Sequence, residues 1–325
     1  MIIRDDFLPR IVRDRLLRPG PLLSRPRTDE YQAVVLFLDI AGFTVLADQL
    51  AERPSGAEEL SHLLNEFFDG MINIIWRRGG DVFSLAGDAL LAIWPVGGNE
   101  ADLEALVSHA AACGLEIQSH LVGRSFLNSV QLSVRVSVAF GQIVVMHVGE
   151  SSAMWHLVIT GEACDRINRA DALTRPGDVI VSPEAWAIIA RNAAGTVLSQ
   201  GNVLINKIFE RALPESPPSP LDASLSGSEA GRVLLEYVPA ILRERLTPDE
   251  TAWIREVRPI SVLFVNLPDL DHRAPDALER AQSAVTTVRE VLHHYEGDLW
   301  SDASLRRRRS ARNLRRSRKG SVESC

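Results

Sequence analysis

The sequence has few cysteines and no long apolar run, and each shortage excludes a class of protein. Its three cysteines, Cys113, Cys164 and Cys325, are too scattered for a zinc site and too few for a disulfide framework. The longest apolar run, 33–43, contains Asp39 and falls short of the ~18 residues that a membrane span needs. The amino-terminal residues mix acids with bases, unlike a signal peptide. We therefore expect a cytoplasmic protein without a transmembrane segment.

Basic charge is scarce outside one segment. Residues 306–319 hold nine of the 35 Lys and Arg residues and no acid, so the rest of the chain carries 26 basic against 42 acidic residues. Because an acidic body binds nucleic acid poorly, no nucleic-acid partner is expected for it. Hydrophobic residues make up 46% of the chain and charged residues 24%, which is typical of a globular protein with a sizeable core.

Changes in composition divide the chain into five segments. Residues 1–30 are rich in Arg and Pro and predict an extended lead-in, whereas 31–211 carry strand and helix patterns. Residues 212–257 begin with a stretch rich in Pro, Ser and Gly, 212–231, which predicts a linker, and continue with a predicted short helical segment near 233–246. At 258–298 the pattern begins again, with a predicted strand at 258–267, an acidic turn and a predicted helix at 277–294, as in an internal repeat. Residues 299–325 form a basic tail that we expect to be disordered.

The order of the predicted elements within 31–211 indicates the fold. Apolar periodicity and Gly-containing turns separate strands from helices along this segment. The predicted elements are strand 33–40, helix 58–76, strands 81–85 and 89–94, helix 100–121, strands across 132–148 interrupted at 141–142, strand 156–160, helix 162–173, strand 178–182 and helix 183–190. Their β-α-β-β-α-β beginning predicts an α+β, ferredoxin-like domain, an antiparallel sheet with helices on one face.

Two acidic residues stand where strands end. Asp39 closes a buried strand and precedes a turn that contains Gly42 and Thr44, and Asp88 lies at the tip of the predicted hairpin. Backbone N–H groups of such a turn suit phosphate oxygens, and paired carboxylates suit Mg²⁺ that phosphates also bind. A lone Asp at a strand end is more often a turn or capping residue, so the spacing by itself leaves both interpretations open.

Four segments of 31–211 resemble the class III adenylyl and guanylyl cyclases, within them the soluble, bicarbonate-sensing adenylyl cyclase branch. A fifth segment resembles the connector of this branch into its second cyclase domain. The matching segments are VLFLDIAGFT (35–44), GGDVFSLAGDALLAIW (79–94), VSVAFG (136–141), RPGDVIVSPEAW (175–186) and VPAILRERLTPDETAWIREVRPISVLFVNLPDLD (238–271). The resemblance extends over roughly residues 30–295.

This resemblance implies a class III catalytic domain at 31–211, an incomplete second copy at 258–298, and formation of cyclic AMP and diphosphate from ATP. It also implies a site for two Mg²⁺ or Mn²⁺ ions and for the triphosphate. The family's two metal-binding Asp residues fall on Asp39 and Asp88, its metal-binding carbonyl falls on Ile40, and its triphosphate turn falls on Gly42, Phe43 and Thr44.

Two positions bear on bicarbonate. The soluble branch has a Lys in its bicarbonate pocket where this sequence has Ser84, and serine supplies no charge to attract an anion. The arginine that completes the pocket in that branch aligns with Arg169 after one inserted residue, with Arg166 as a rival and an ordinary surface arginine as a further interpretation. The resemblance therefore argues against a strong bicarbonate response.

The second copy departs further from the family. Class III sites form between two cyclase domains, and here the second begins near 258, with Asn266 where the first has its metal-binding Asp. Its pattern stops near 298, which a shifted reading frame, an alternative transcript end or a true anion-binding tail would each explain. We therefore expect a cyclase that needs a complementary domain, from a second copy or from a full-length cyclase. The alternative is a catalytically silent, nucleotide-binding regulatory fragment.

Overall fold

The computed structural model describes residues 9–17, 24–53, 55–97, 100–121, 125–126, 130–150, 154–209, 229–238 and 270–295. The helices are α1 (Arg10–Leu17), α2 (Phe43–Ala51), α3 (Gly56–Arg77), α4 (Glu100–Leu121), α5 (Glu162–Asp171), α6 (Pro183–Ile189), α7 (Glu229–Leu235) and α8 (Ala277–His294). The strands are β1 (Arg27–Ala41), β2 (Asp81–Ala86), β3 (Ala89–Pro95), β4 (Ser125–Phe126), β5 (Val130–Gln131), β6 (Ser133–Gly149), β7 (Trp155–Thr160), β8 (Val179–Val181), β9 (Ala193–Val197) and β10 (Val203–Ile208).

One mixed sheet organises the molecule. Its strands follow the order β2-β3-β1-β6-β8-β10-β9, with β7 beside the far half of β6. The pairs are antiparallel except for β6 with β8. The predicted α+β, ferredoxin-like fold is confirmed, but helices cover both faces of the sheet rather than one. The strand break predicted at 141–142 is wrong, because β6 runs on through Gly141 to Gly149 along the whole of β1.

One face of the sheet packs against α3, α4 and α6. Leu36 and Leu38 of β1 point to this side, and both are fully buried against apolar residues of the helices such as Met71 and Ile75. Apolar positions three and four residues apart form one stripe along α3, which explains why this helix could be predicted from sequence. No helix in the described part of the chain is long and apolar enough to cross a lipid bilayer.

The opposite face of the sheet packs against α1, α5 and α7. Here the structure corrects the lead-in prediction, because residues 10–17 form a helix instead of an extended segment. Ile11 and Val12 are buried in the core, and the Ile11 N–H donates to Asp81 Oδ2 at 3.1 Å, at the start of β2. Burial raises the pKa of the Asp81 carboxyl. Packing and this cap stabilise a helix that is too short to be stable alone.

A buried polar cluster joins α7 and the residues after it to the sheet. The Tyr237 hydroxyl lies 2.6 Å from His147 Nδ1, and His147 Nε2 lies 3.2 Å from a carboxylate oxygen of Asp29. Beside it, the Trp155 N–H donates to the Glu236 carbonyl at 2.8 Å. Burial alone would raise the pKa of Asp29, but the hydrogen bond with His147 and the nearby Arg charge lower it below its ordinary value. Segment 229–238, inside the predicted linker, is therefore attached to the domain that the sheet forms.

Helix α8 packs on the C-terminal half of β6, at residues 144–148. Ala281 and Val285 contact the apolar cluster that contains Met146. The Gln282 amide pairs with the backbone of Gly149, accepting from its N–H at 2.7 Å and donating to its carbonyl at 3.2 Å. The helix agrees with the sequence prediction, but the incomplete second copy stays a prediction. Its predicted strand at 258–267 and the basic tail at 299–325 lie outside the described residues.

Candidate functional site

The end of β1 and the β2–β3 hairpin bring the backbones of the two predicted acidic residues side by side in the fold. Asp39 is the strand partner of Ala89, the residue directly after Asp88. The Ile40 N–H donates to the Asp88 carbonyl at 3.0 Å. Gly87, with φ 63°, adopts the left-handed conformation that the tight hairpin needs. Two residues that are 49 positions apart in the chain thus have neighbouring backbones, where β1 ends and the β2–β3 hairpin turns.

The turn after Asp39 leads directly into α2. Gly42 has φ 92° and precedes the first helical residue, Phe43, and the Leu46 N–H donates to the Gly42 carbonyl at 3.1 Å. Phe43 is half-buried against the core, and Thr44 lies in the first turn of the helix. N–H groups at the start of a helix lack intrahelical partners, so the backbone of 42–44 can donate to an anion.

Asp39 is buried and ion-paired. It is 4% exposed, and its Oδ2 contacts a terminal nitrogen of Arg135, the residue directly opposite it on β6. A buried carboxylate needs a positive or hydrogen-bonding partner, which Arg135 supplies. Arg135 was not among the site residues predicted from the sequence. The sequence shows only that a basic residue interrupts an apolar strand. Its partner could not be predicted, because the pairing depends on the register of β1 with β6.

The donor set at this edge suits a hard divalent cation. The residues predicted to bind it are Asp39 and Asp88, through their carboxylates, and Ile40, through its backbone carbonyl, and such oxygen donors are the ones that Mg²⁺ and Mn²⁺ prefer. Within the described ranges, no three His, Cys, Asp or Glu side chains form a group that could hold a metal. A cation bound here would therefore take its other ligands from water and from phosphate oxygens.

The residues considered for bicarbonate lie on different elements. Ser84 is half-buried on β2, next to a register shift against β3, and Arg169 is exposed in the last turn of α5. Arg166 donates to the Phe140 carbonyl at 2.7 Å and pairs with Glu184 at 3.1 Å. In the described part of the chain, no hydrogen bond or ion pair joins Ser84 to either arginine. The arrangement gives no support for an anion pocket at these positions.

Comparison with known proteins places this domain in one family. The family model described as the adenylate and guanylate cyclase catalytic domain matches residues 27–206, more than half of the chain. These bounds begin at the first residue of β1 and end within β10, so the match covers the candidate site and all of the sheet except the last two residues of β10.

Curated relatives match a longer part of the chain. Adenylate cyclase type 10 of rabbit (Oryctolagus cuniculus) and that of human (Homo sapiens) are each 26% identical over 304 residues, which is 85% of this chain and 19% of the relative. This chain thus spans about a fifth of the length of these relatives. The crystal structure of the adenylyl cyclase CyaB from P. aeruginosa is 20% identical, covers 58% of this chain and 98% of that one, and has a TM-score of 0.44.

Proposed function

Because the chain belongs to the adenylate and guanylate cyclase catalytic domain family, we propose that it converts ATP to 3′,5′-cyclic AMP and diphosphate. The observation that carries the proposal is the meeting of Asp39 and Asp88 beside the turn at 42–44. ATP is proposed over GTP because curated relatives that match 85% of this chain are adenylate cyclases.

Each group of the site has a role in this reaction. In the reaction the 3′-oxygen of ATP bonds to the α-phosphorus, and the bond from that phosphorus to the diphosphate breaks. The carboxylates of Asp39 and Asp88 and the Ile40 carbonyl would hold two Mg²⁺ or Mn²⁺ ions. The chemistry that such ions supply is activation of the 3′-hydroxyl and stabilisation of the leaving diphosphate. The backbone N–H groups of 42–44 would orient the triphosphate.

We propose that activity requires a complementary cyclase domain, supplied by a second copy of this chain or by a full-length cyclase. The described site supplies acidic side chains and backbone donors, whereas recognition of the base and stabilisation of the transition state need further polar groups. Bicarbonate is not proposed as a ligand, because Ser84 carries no charge and Arg166 is engaged elsewhere.

The test is cyclic AMP formation by the purified full chain with ATP and Mn²⁺, measured by mass spectrometry with and without an added cyclase domain. We expect Asp39→Asn to lower the rate by at least about 100-fold, because the carboxylate that binds the ions is lost. Asp165→Asn is the matched control, since Asp165 is exposed on α5. Full activity in Asp39→Asn would exclude the proposed role of this residue.

A second candidate function is metal-dependent nucleotide binding without turnover. The described site supports it, because Asp39, Asp88 and the backbone of 42–44 could bind a cation and a triphosphate without further groups. ATP with Mn²⁺ would then raise the melting temperature of the wild type, while no cyclic AMP forms even with an added cyclase domain. Formation of cyclic AMP, with or without the added cyclase domain, would exclude this second candidate function.

A further inference from the structure

We propose that Arg135 is an exchangeable counter-ion of the cation site: it pairs with Asp39 until a divalent cation displaces it, and it thereby sets the affinity of the site for that cation. This inference rests on the proposed function in one respect, that Asp39 is a cation ligand. It adds a residue of β6 to a site otherwise built from β1, α2 and the β2–β3 hairpin.

The register of the sheet determines the position of Arg135. It lies directly opposite Asp39 in the β1–β6 ladder, with Ala89 on the other side of Asp39. The Asp39 side chain is 6% exposed, so it cannot rely on water to stabilise its charge. Without a cation the carboxylate needs a positive partner, and Arg135 is the partner that the structure places there.

The contact between the two side chains is suited to exchange. A terminal nitrogen of Arg135 contacts one carboxylate oxygen, Oδ2, while Arg135 Nε is buried without a hydrogen-bond partner among the described residues. A second donor is thus left unsatisfied, unlike in a two-pronged arginine–carboxylate pair. The Arg135 side chain is 34% exposed, so its head group has access to solvent when it leaves.

A divalent cation and the guanidinium compete for Asp39 for two reasons. Both need the electron pairs of the same buried carboxylate, and their positive charges repel each other at short range. An ion pair that only stabilises the fold and lies apart from the bound cation would behave differently. Its loss would lower stability equally with and without the cation and would leave cation affinity unchanged.

The first experiment measures Mn²⁺ binding to the full chain by isothermal titration calorimetry, without nucleotide. We expect Arg135→Gln to bind Mn²⁺ about fivefold more tightly than the wild type, the scale of a partly exposed ion pair. Arg135→Lys restores a positive charge and should return the Kd towards the wild-type value. Arg175→Gln is the control for loss of charge, since Arg175 is an exposed residue between α5 and β8. An unchanged or weaker affinity in Arg135→Gln overturns the proposal.

A second measurement detects the exchange through stability. Without Mn²⁺, Arg135→Gln should melt below the wild type, because the buried Asp39 loses its ion pair with the guanidinium. At saturating Mn²⁺ the difference should narrow, since the cation replaces the guanidinium. A deficit of the same size under both conditions overturns the proposal and assigns a purely structural role to the pair.

Two further comparisons distinguish failure of the proposed function from failure of the proposed exchange. If Asp39→Asn binds Mn²⁺ as the wild type does, the cation ligand of the proposed function is wrong, and the exchange fails with it. If Asp39→Asn weakens binding but Arg135→Gln changes nothing, only the exchange is wrong. If Arg135→Gln does not fold, nuclear magnetic resonance of the wild-type protein provides the test. The signal of the Arg135 Nε–H group is assigned by its absence from the spectrum of Arg135→Lys. That signal should shift on addition of Mg²⁺, and a static signal overturns the proposal.

Discussion

Replacing Tyr237 by Phe tests how the segment after the catalytic-type domain is attached to it. Tyr237 is 6% exposed, and its hydroxyl lies 2.6 Å from His147 Nδ1. The substitution keeps the ring and its apolar contacts but removes the hydroxyl. His147, which is 2% exposed, then has one ring nitrogen without that partner, while the other still faces Asp29.

The size of the effect follows from burial. Leaving one buried polar group unsatisfied costs about 1–3 kcal/mol, and His147 has little access to water that could compensate. For a domain of this size, a loss of about 2 kcal/mol corresponds to a fall of roughly 4–8 °C in melting temperature. Tyr295→Phe removes the same atom from a residue that is 74% exposed, and it should change stability by less than about 0.5 kcal/mol.

Thermal denaturation of the two variants and the wild type gives the first measurement. Hydrogen exchange gives the second, because the Trp155 N–H donates to the Glu236 carbonyl next to Tyr237. If the segment loosens, this amide should exchange faster in Tyr237→Phe than in Tyr295→Phe. Equal melting temperatures and equal Trp155 exchange in the two variants would refute the proposed contribution of the hydroxyl.

Two further predictions concern stability. Gly161→Ala should destabilise the protein by more than about 2 kcal/mol, measured by urea denaturation. The reason is that Gly161 has a φ of 115° and that an added Cβ would lie 2.6 Å from the Gln142 carbonyl oxygen. Gly97→Ala is the control, because a Cβ at Gly97 would have no atom within 4 Å. The pKa of the Asp29 carboxyl is lower in the folded state than in the unfolded state. The ionised carboxylate therefore stabilises the fold fully above the unfolded pKa, near 4, and this stabilisation is lost as the pH falls through the pKa of the folded state. Melting temperatures from pH 6 to pH 3 should therefore fall less steeply for Asp29→Asn than for the wild type, and equal slopes would show that Asp29 does not contribute.

Local patterns predicted the elements whose signals lie within one stretch of chain. Helices α3 and α8 have apolar residues at helical spacing and agree with the prediction within one or two residues. The β2–β3 hairpin was recognisable from two apolar runs around a Gly-containing turn. Asp39 and Asp88 were candidates because each ends or interrupts such a run, and the resemblance to the class III cyclases then predicted them as site residues. Nothing in the spacing alone indicated that they meet.

Non-local pairing decided the rest. The sequence by itself determined that a strand ends at an acidic residue near position 39 and that a hairpin carries another near 88. Only the tertiary structure decided that Arg135 lies opposite Asp39, because that neighbour depends on a register between strands about a hundred residues apart. In the same way, α1 and segment 229–238 carry weak local signals, and each is stabilised by burial of apolar residues against a sheet formed by other parts of the chain. Contacts of this kind arise from packing, which local propensity does not encode.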